Sequence, residues 1–121
     1  NLKELFDELL KTNNLNLKHL IFFVAKGLIT KEAVNLFEVS ISENIKENDK
    51  NLMKSFLFEI FKNLSSVNLL SNKIIGVYID IVDSSKKYVD LRELIKYVND
   101  ESFFYMKLRN SKSYINLFLN E

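Results

Sequence analysis

The stretch "NKIIGVYIDIV" (residues 72–82) decides how this 121-residue chain folds. Its density of β-branched side chains reads as a strand on propensity alone. No second segment offers a partner, however, and a lone strand would leave its backbone N–H and C=O groups without a ladder. The segment is therefore expected to be a helix, with Gly76 as a position of close packing. That choice makes the chain all-α.

Working outward, the same reading extends in both directions. Leu2, Leu5, Phe6, Leu9 and Leu10 recur at the three-and-four spacing of one helical face, and "KTNNLN" (11–16) then turns the chain. Leu17, Leu20, Ile21, Val24 and Leu28 mark a second helix with Gly27 near its end. Thr30 suits the N-cap of a third, carrying Ala33, Leu36, Phe37, Ile41 and Ile45. "ENDKN" (47–51) breaks the pattern and offers Asn48 or Asp49 as the next cap. Leu52, Phe56, Leu57, Ile60, Phe61 and Leu64 are expected to form the stripe of one fourth helix. Downstream of residue 82, Ser84 or Ser85 caps a helix burying Leu91, Leu94, Ile95 and Val98. A last helix near residues 111–119 presents Tyr114, Ile115 and Phe118.

With no proline and two glycines, the chain has few breakers. About seven helices joined by connections of about two to six residues make an α-helical array or compact superhelix. The length suits a single domain over residues 1–121, able to bury roughly two-thirds of its unfolded surface. Opening on Asn1 rather than Met, it is expected to be part of a longer protein.

Composition removes several classes of function. There is no cysteine, which excludes disulfides, thiol catalysis and Cys-based zinc sites. The net charge is +1, so no overall field marks a nucleic-acid or membrane binder. "LIFFVA" (20–25) and "IIGVYI" (74–79) are far too short to span a bilayer. The one histidine, His19, has no nucleophile or acid at a recognisable spacing, and there is no glycine-rich phosphate loop. The carboxylates are scattered. No enzymatic activity, cofactor or metal is expected.

Residues that break the helical pattern are more informative. Phe58 lies about 100° round from Leu57, where a polar residue would be expected. Phe22 and Phe23 widen the apolar face of the second helix. Such positions suit either a broad buried face or an aromatic groove that receives a peptide. Arg92, in "DLRELIKYVND" (90–100), is one of two arginines in a chain that otherwise uses lysine. Its helical neighbours Tyr88, Val89, Ile95 and Lys96 include no acid. Read alone, it suits an interhelix salt bridge or a ligand contact through its planar fork.

From Leu5 to about Phe103 the order of these segments resembles the CTD-interacting domain (CID) family, whose members bind the heptad-repeat tail of RNA polymerase II. "LFDELL" (5–10) is similar to that family's first helix, and "FVAKGLITKEAVNLFEVSISENI" (23–45) to its second and third. "FLFEIFKN" (56–63) resembles the fourth, and "YIDIVD" (78–83) with "LRELIKYVNDESFF" (91–104) resembles the two that follow. The resemblance implies a compact right-handed superhelix of about seven to eight helices, of the kind shared with ENTH and VHS domains. It implies a non-enzymatic module for the phosphorylated polymerase tail, acting in mRNA 3′-end processing or transcription termination in the nucleus.

On that alignment Phe22, Phe23, Phe58 and Glu59 would line the peptide groove, and Arg92, Lys62 and Lys96 would hold a phosphate. Arg92 falls where several members place a phosphoserine-binding arginine. Two departures stand out. Phe58 occupies the position of the aspartate that holds the peptide's tyrosine, with Glu59 one residue later, and Tyr97 replaces a tryptophan. The competing expectations are a helical scaffold with a protein interface and a trafficking adaptor. The adaptor would want a cluster of lysines on the first helix, where Lys3, Lys11 and Lys18 are instead spread over several turns.

Overall fold

The structure, a computed structural model, describes residues 1–84 and 91–111, apart from the side chains of Leu91 and Arg92. Two compact units follow one another along the chain, Asn1–Leu69 and Leu70–Glu121. The first holds α1 (Leu2–Lys11), α2 (Leu17–Ala25), α3 (Lys31–Ser40), α4 (Glu47–Ser55) and α5 (Leu57–Ser66). The second holds α6 (Asn72–Asp83), a 3-10 helix (Leu91–Tyr97) and α7 (Glu101–Arg109). The fold is all-α, and no strand occurs among the described residues. The ambiguous stretch at 72–82 is helical, as expected.

Short polar side chains start these helices. Asn1, Asn16, Thr30, Ser71 and Asp100 each accept a hydrogen bond from a first-turn backbone N–H. At Asn16 the bond is reciprocal, because its own N–H donates to Nδ1 of His19 at 3.3 Å. The lone histidine thus has a structural role.

The helix ends repeat one device. Asn13, Gly27 and Asn68 have φ of 57°, 100° and 58°. The residue after each donates back across the last turn, Asn14 to Leu9, Leu28 to Phe23 and Leu69 to Leu64, at 2.9, 2.8 and 2.8 Å. Asparagine is the side chain that best tolerates this left-handed turn after glycine. At Gly27 an added Cβ would meet nothing within 4 Å. Gly27→Ala should therefore cost about 1–2 kcal/mol from the backbone alone. Urea unfolding followed by circular dichroism measures it, and an unchanged midpoint would show that the turn is not strained.

Two local expectations are corrected. The fourth helix is divided at Phe56 (φ −106°, ψ 18°), which ends α4 and begins α5. "ENDKN" is no breaker, because α4 begins at Glu47 on the Lys46 cap. Its Glu47 and Asp49 lie in the first turn, where carboxylates are favoured by the unpaired N–H groups of a helix start. Beyond the break Leu57, Ile60, Phe61 and Leu64 are buried, while Leu52 and Phe56 are only half-buried.

α2 is the centre of the first unit and packs against α3, α4 and α5. Leu20, Ile21, Phe23 and Val24 are all at most 2% exposed, as a helix surrounded on most sides requires. In the second unit α6 packs on α7. Gly76 permits the approach: an added Cβ there would lie 3.2 Å from Lys107 Cε and 3.7 Å from Phe103 Cζ. Lys107 Nζ also reaches Asp80 Oδ1 at 3.3 Å. Leu94 and Val98 are buried as expected, and Ile95 is half-buried. α7 stands where the sequence suggested no separate helix. The helix expected at 111–119, with Tyr114, Ile115 and Phe118, lies outside the described residues beyond Ser111.

Candidate peptide-binding groove

Two neighbouring phenylalanines of α2 meet opposite fates. Phe23 points into the core at 1% exposure, edge-on to Phe6 of α1 with ring centroids 5.8 Å apart. Phe22, one residue earlier, is 44% exposed. It stands in the wall of a groove of about 310 Å³. α1 contributes Leu5 to this groove, α2 contributes Lys18, His19, Ile21, Phe22 and Phe23, and the α4 side contributes Leu52 and Phe56. The lining is almost wholly apolar.

The break at Phe56 helps create this surface. Had α4 and α5 formed one straight helix, Leu52 and Phe56 would have continued the buried stripe of Leu57 and Ile60. They face the groove instead. Lys26, one turn beyond Phe22, holds its Nζ 5.8 Å from the Phe22 ring centroid and 5.9 Å from that of Phe56. This cation–π clasp links the two walls.

A second, shallower cleft of about 600 Å³ adjoins the first and shares Lys18 and Leu52 with it. Its remaining lining is polar: Asn16, Lys46, Asn48, Asp49, Asn51 and Ser55. Among the described residues neither Lys18 nor Lys46 stands in an ion pair. The first unit thus carries an apolar trough continuous with a polar shelf that holds two uncompensated lysines.

The residues singled out in the sequence divide between the units. Phe22 forms groove wall and Phe23 its floor. Phe58 is 39% exposed on α5, with Glu59 and Lys62 exposed on the same helix, and none of the three is in the groove lining. In the second unit Lys96 is exposed, with Nζ 5.1 Å from the Tyr97 ring centroid. Arg92 belongs to the 3-10 helix, and its side chain lies outside the described residues. Sequence reasoning missed Leu5, Phe56, Lys18, Lys26 and Lys46. The signal for two groove residues and the lysine beside them was present in the four-residue spacing of Lys18 and Phe22 on α2 and Lys26 at its C-cap.

Among the described residues no three His, Asp or Glu side chains are placed to hold a metal. No helix among them is long and apolar enough to cross a membrane. Comparison with protein-family models, curated proteins and solved structures finds no match. The groove's own geometry is therefore the ground for a functional reading.

Proposed function

We propose that the chain is a non-enzymatic peptide-binding module that seats an apolar side chain of its ligand against Phe22 and Phe56. The carrying observation is that Phe22, 44% exposed, lies in a concave apolar groove with a lysine at its rim. Leaving an aromatic this exposed forgoes part of its burial free energy, which a partner recovers on binding.

The resemblance to CTD-interacting domains makes the RNA polymerase II tail the first ligand to test, and the nucleus the setting. Lysine and arginine suit phosphate. The resemblance alone assigns Arg92, Lys62 and Lys96 to a phosphoserine and Phe58 and Glu59 to the peptide; Arg92 and Lys96 belong to the second unit and the other three to the first.

Fluorescence anisotropy of a two-heptad Tyr-Ser-Pro-Thr-Ser-Pro-Ser peptide tests this, unphosphorylated and phosphorylated on the first serine of each heptad. Binding in the micromolar range or above is expected, because an extended segment loses entropy on ordering. Arg92→Ala should lose roughly 1–3 kcal/mol with the phosphorylated form only, and Phe22→Ala should weaken both forms. Equal loss of both forms in Arg92→Ala would remove its phosphate role. A dimer in sedimentation that buries Phe22 would favour the scaffold reading, and binding of phosphoinositide vesicles in place of peptide would favour the adaptor.

A further inference from the structure

We infer that the occupant of this groove is a short amphipathic helix carrying acidic residues about one turn to either side of a large apolar anchor. The inference rests on the peptide-groove reading but not on the polymerase tail, whose prolines bar a helix, so binding of that tail in this groove would overturn it. Its first basis is the row formed by Lys18 and Phe22 on α2 and Lys26 at the C-cap of that helix. A rise of about 1.5 Å per residue puts the two lysines roughly 6 Å before and after the exposed ring. A partner helix lying along this row presents its own side chains at nearly the same interval, so an apolar anchor over Phe22 brings carboxylates one turn away toward the cations.

The second basis is charge. Among the described residues Lys18 and Lys46 are without an ion pair, and Asp49 is the one carboxylate that lines the adjoining cleft. Lys26 rests on two aromatic rings rather than on an acid. The shelf and rim therefore carry net positive charge toward whatever fills the trough, which favours an acidic partner and repels a basic one.

The third basis selects a helix over an extended strand. The trough offers an incoming chain almost no polar atoms. An extended peptide pressed into it would bury backbone N–H and C=O groups with nothing to bond them, an expensive outcome. A helix satisfies its own backbone and exposes only side chains, so it alone suits a wall of Leu5, Phe22, Leu52 and Phe56.

The test uses the full chain and a helix-stabilised 16-residue peptide. The peptide carries a central Phe, Leu four residues before and three after it, and Glu flanking the Phe by one turn. A control peptide replaces each Glu with Lys. Nitrogen-15 and aromatic NMR titrations give affinity and location together. Micromolar binding of the acidic peptide is expected, with shifts at Phe22, Phe56 and Lys18, and at least about ten-fold weaker binding of the lysine peptide. The double variant Lys18→Glu/Lys46→Glu should reverse that order. Equal affinity for both peptides would overturn the acidic preference while leaving the groove reading intact. Acidic selectivity with a bound peptide whose transferred NOEs are not helical would overturn the helix. If neither peptide shifts the groove resonances of the folded protein at millimolar concentration, the groove reading falls with the inference.

Discussion

Phe23→Ala is expected to remove about 3–5 kcal/mol of stability, whereas Phe22→Ala, one residue away, should cost about 1 kcal/mol and weaken binding in the groove. The difference follows from where each ring lies. Phe23 is 1% exposed, and its edge-on contact with Phe6 at 5.8 Å joins α1 to α2. Truncation would lose both the transfer free energy of a whole phenyl ring and the aromatic pair, and would open a cavity beneath the groove. Phe22 is 44% exposed and buries only part of its surface in the free protein. Its truncation would lose that partial burial, the edge-on contact with Phe23 at 6.4 Å and the Lys26 cation–π contact. Urea unfolding reads the two stabilities, and peptide anisotropy reads the binding. Since a domain of this size has roughly 5–15 kcal/mol in total, Phe23→Ala should be visibly less stable. A Phe22→Ala loss as large as that of Phe23→Ala would mean that Phe22 is a core residue and that the groove is closed in solution.

How much of this was legible beforehand depended on whether periodicity or tertiary packing set the outcome. The helix at 72–82 was readable because its alternative, an unpaired strand, has no way to satisfy its backbone; Ile74, Ile75, Tyr78 and Ile79 are accordingly buried on α6. Gly27 and Thr30 were readable because turn and cap chemistry is local. The break at Phe56 was not. Leu52, Phe56, Ile60 and Phe61 keep an acceptable helical spacing straight through it, and nothing in the local composition requires a stop. For the same reason Leu5 reads as core on its own helix yet is 50% exposed. Hydrophobic spacing identifies which face of a helix is apolar, but not which part of that face its neighbours leave uncovered. The groove is made of such uncovered parts. Phe22 and Phe58 were noticed because they fall off their stripes, and the two then behave differently, Phe22 joining the groove and Phe58 remaining outside its lining. Asn13 and Asn68 are required by left-handed turns and Asn16 by a cap.

Asn63→Asp should be more damaging than Asn63→Ala, although it differs from the native side chain by a single group. The last four carbonyls of a helix have no partner within it, and in α2 each finds one elsewhere. Phe22 O accepts from Lys26 N, Phe23 O from Leu28 N and Val24 O from Gly27 N. Asn63 of α5 then donates from Nδ2 to both Val24 O, at 2.9 Å, and Ala25 O, at 3.1 Å. One amide thus completes the end of the central helix and fastens α5 to it, beside the core formed by Leu64 and Val24, both fully buried. Asn63→Ala removes two donors from a half-buried site and should cost about 1–3 kcal/mol. Asn63→Asp removes the same donors and sets a carboxylate against two carbonyl oxygens at the negative end of a helix, for a loss of roughly 2–4 kcal/mol. Below about pH 4 the introduced group gains a proton and can donate once, so its deficit relative to wild type should narrow there. The Ala variant's deficit should not show this narrowing. Paired urea titrations of the three proteins at pH 7 and about pH 4 make the comparison. Equal stability of the Asp and Ala variants at both pH values would show that the site is wet enough to screen the charge, and that Asn63 acts by packing rather than by closing α2.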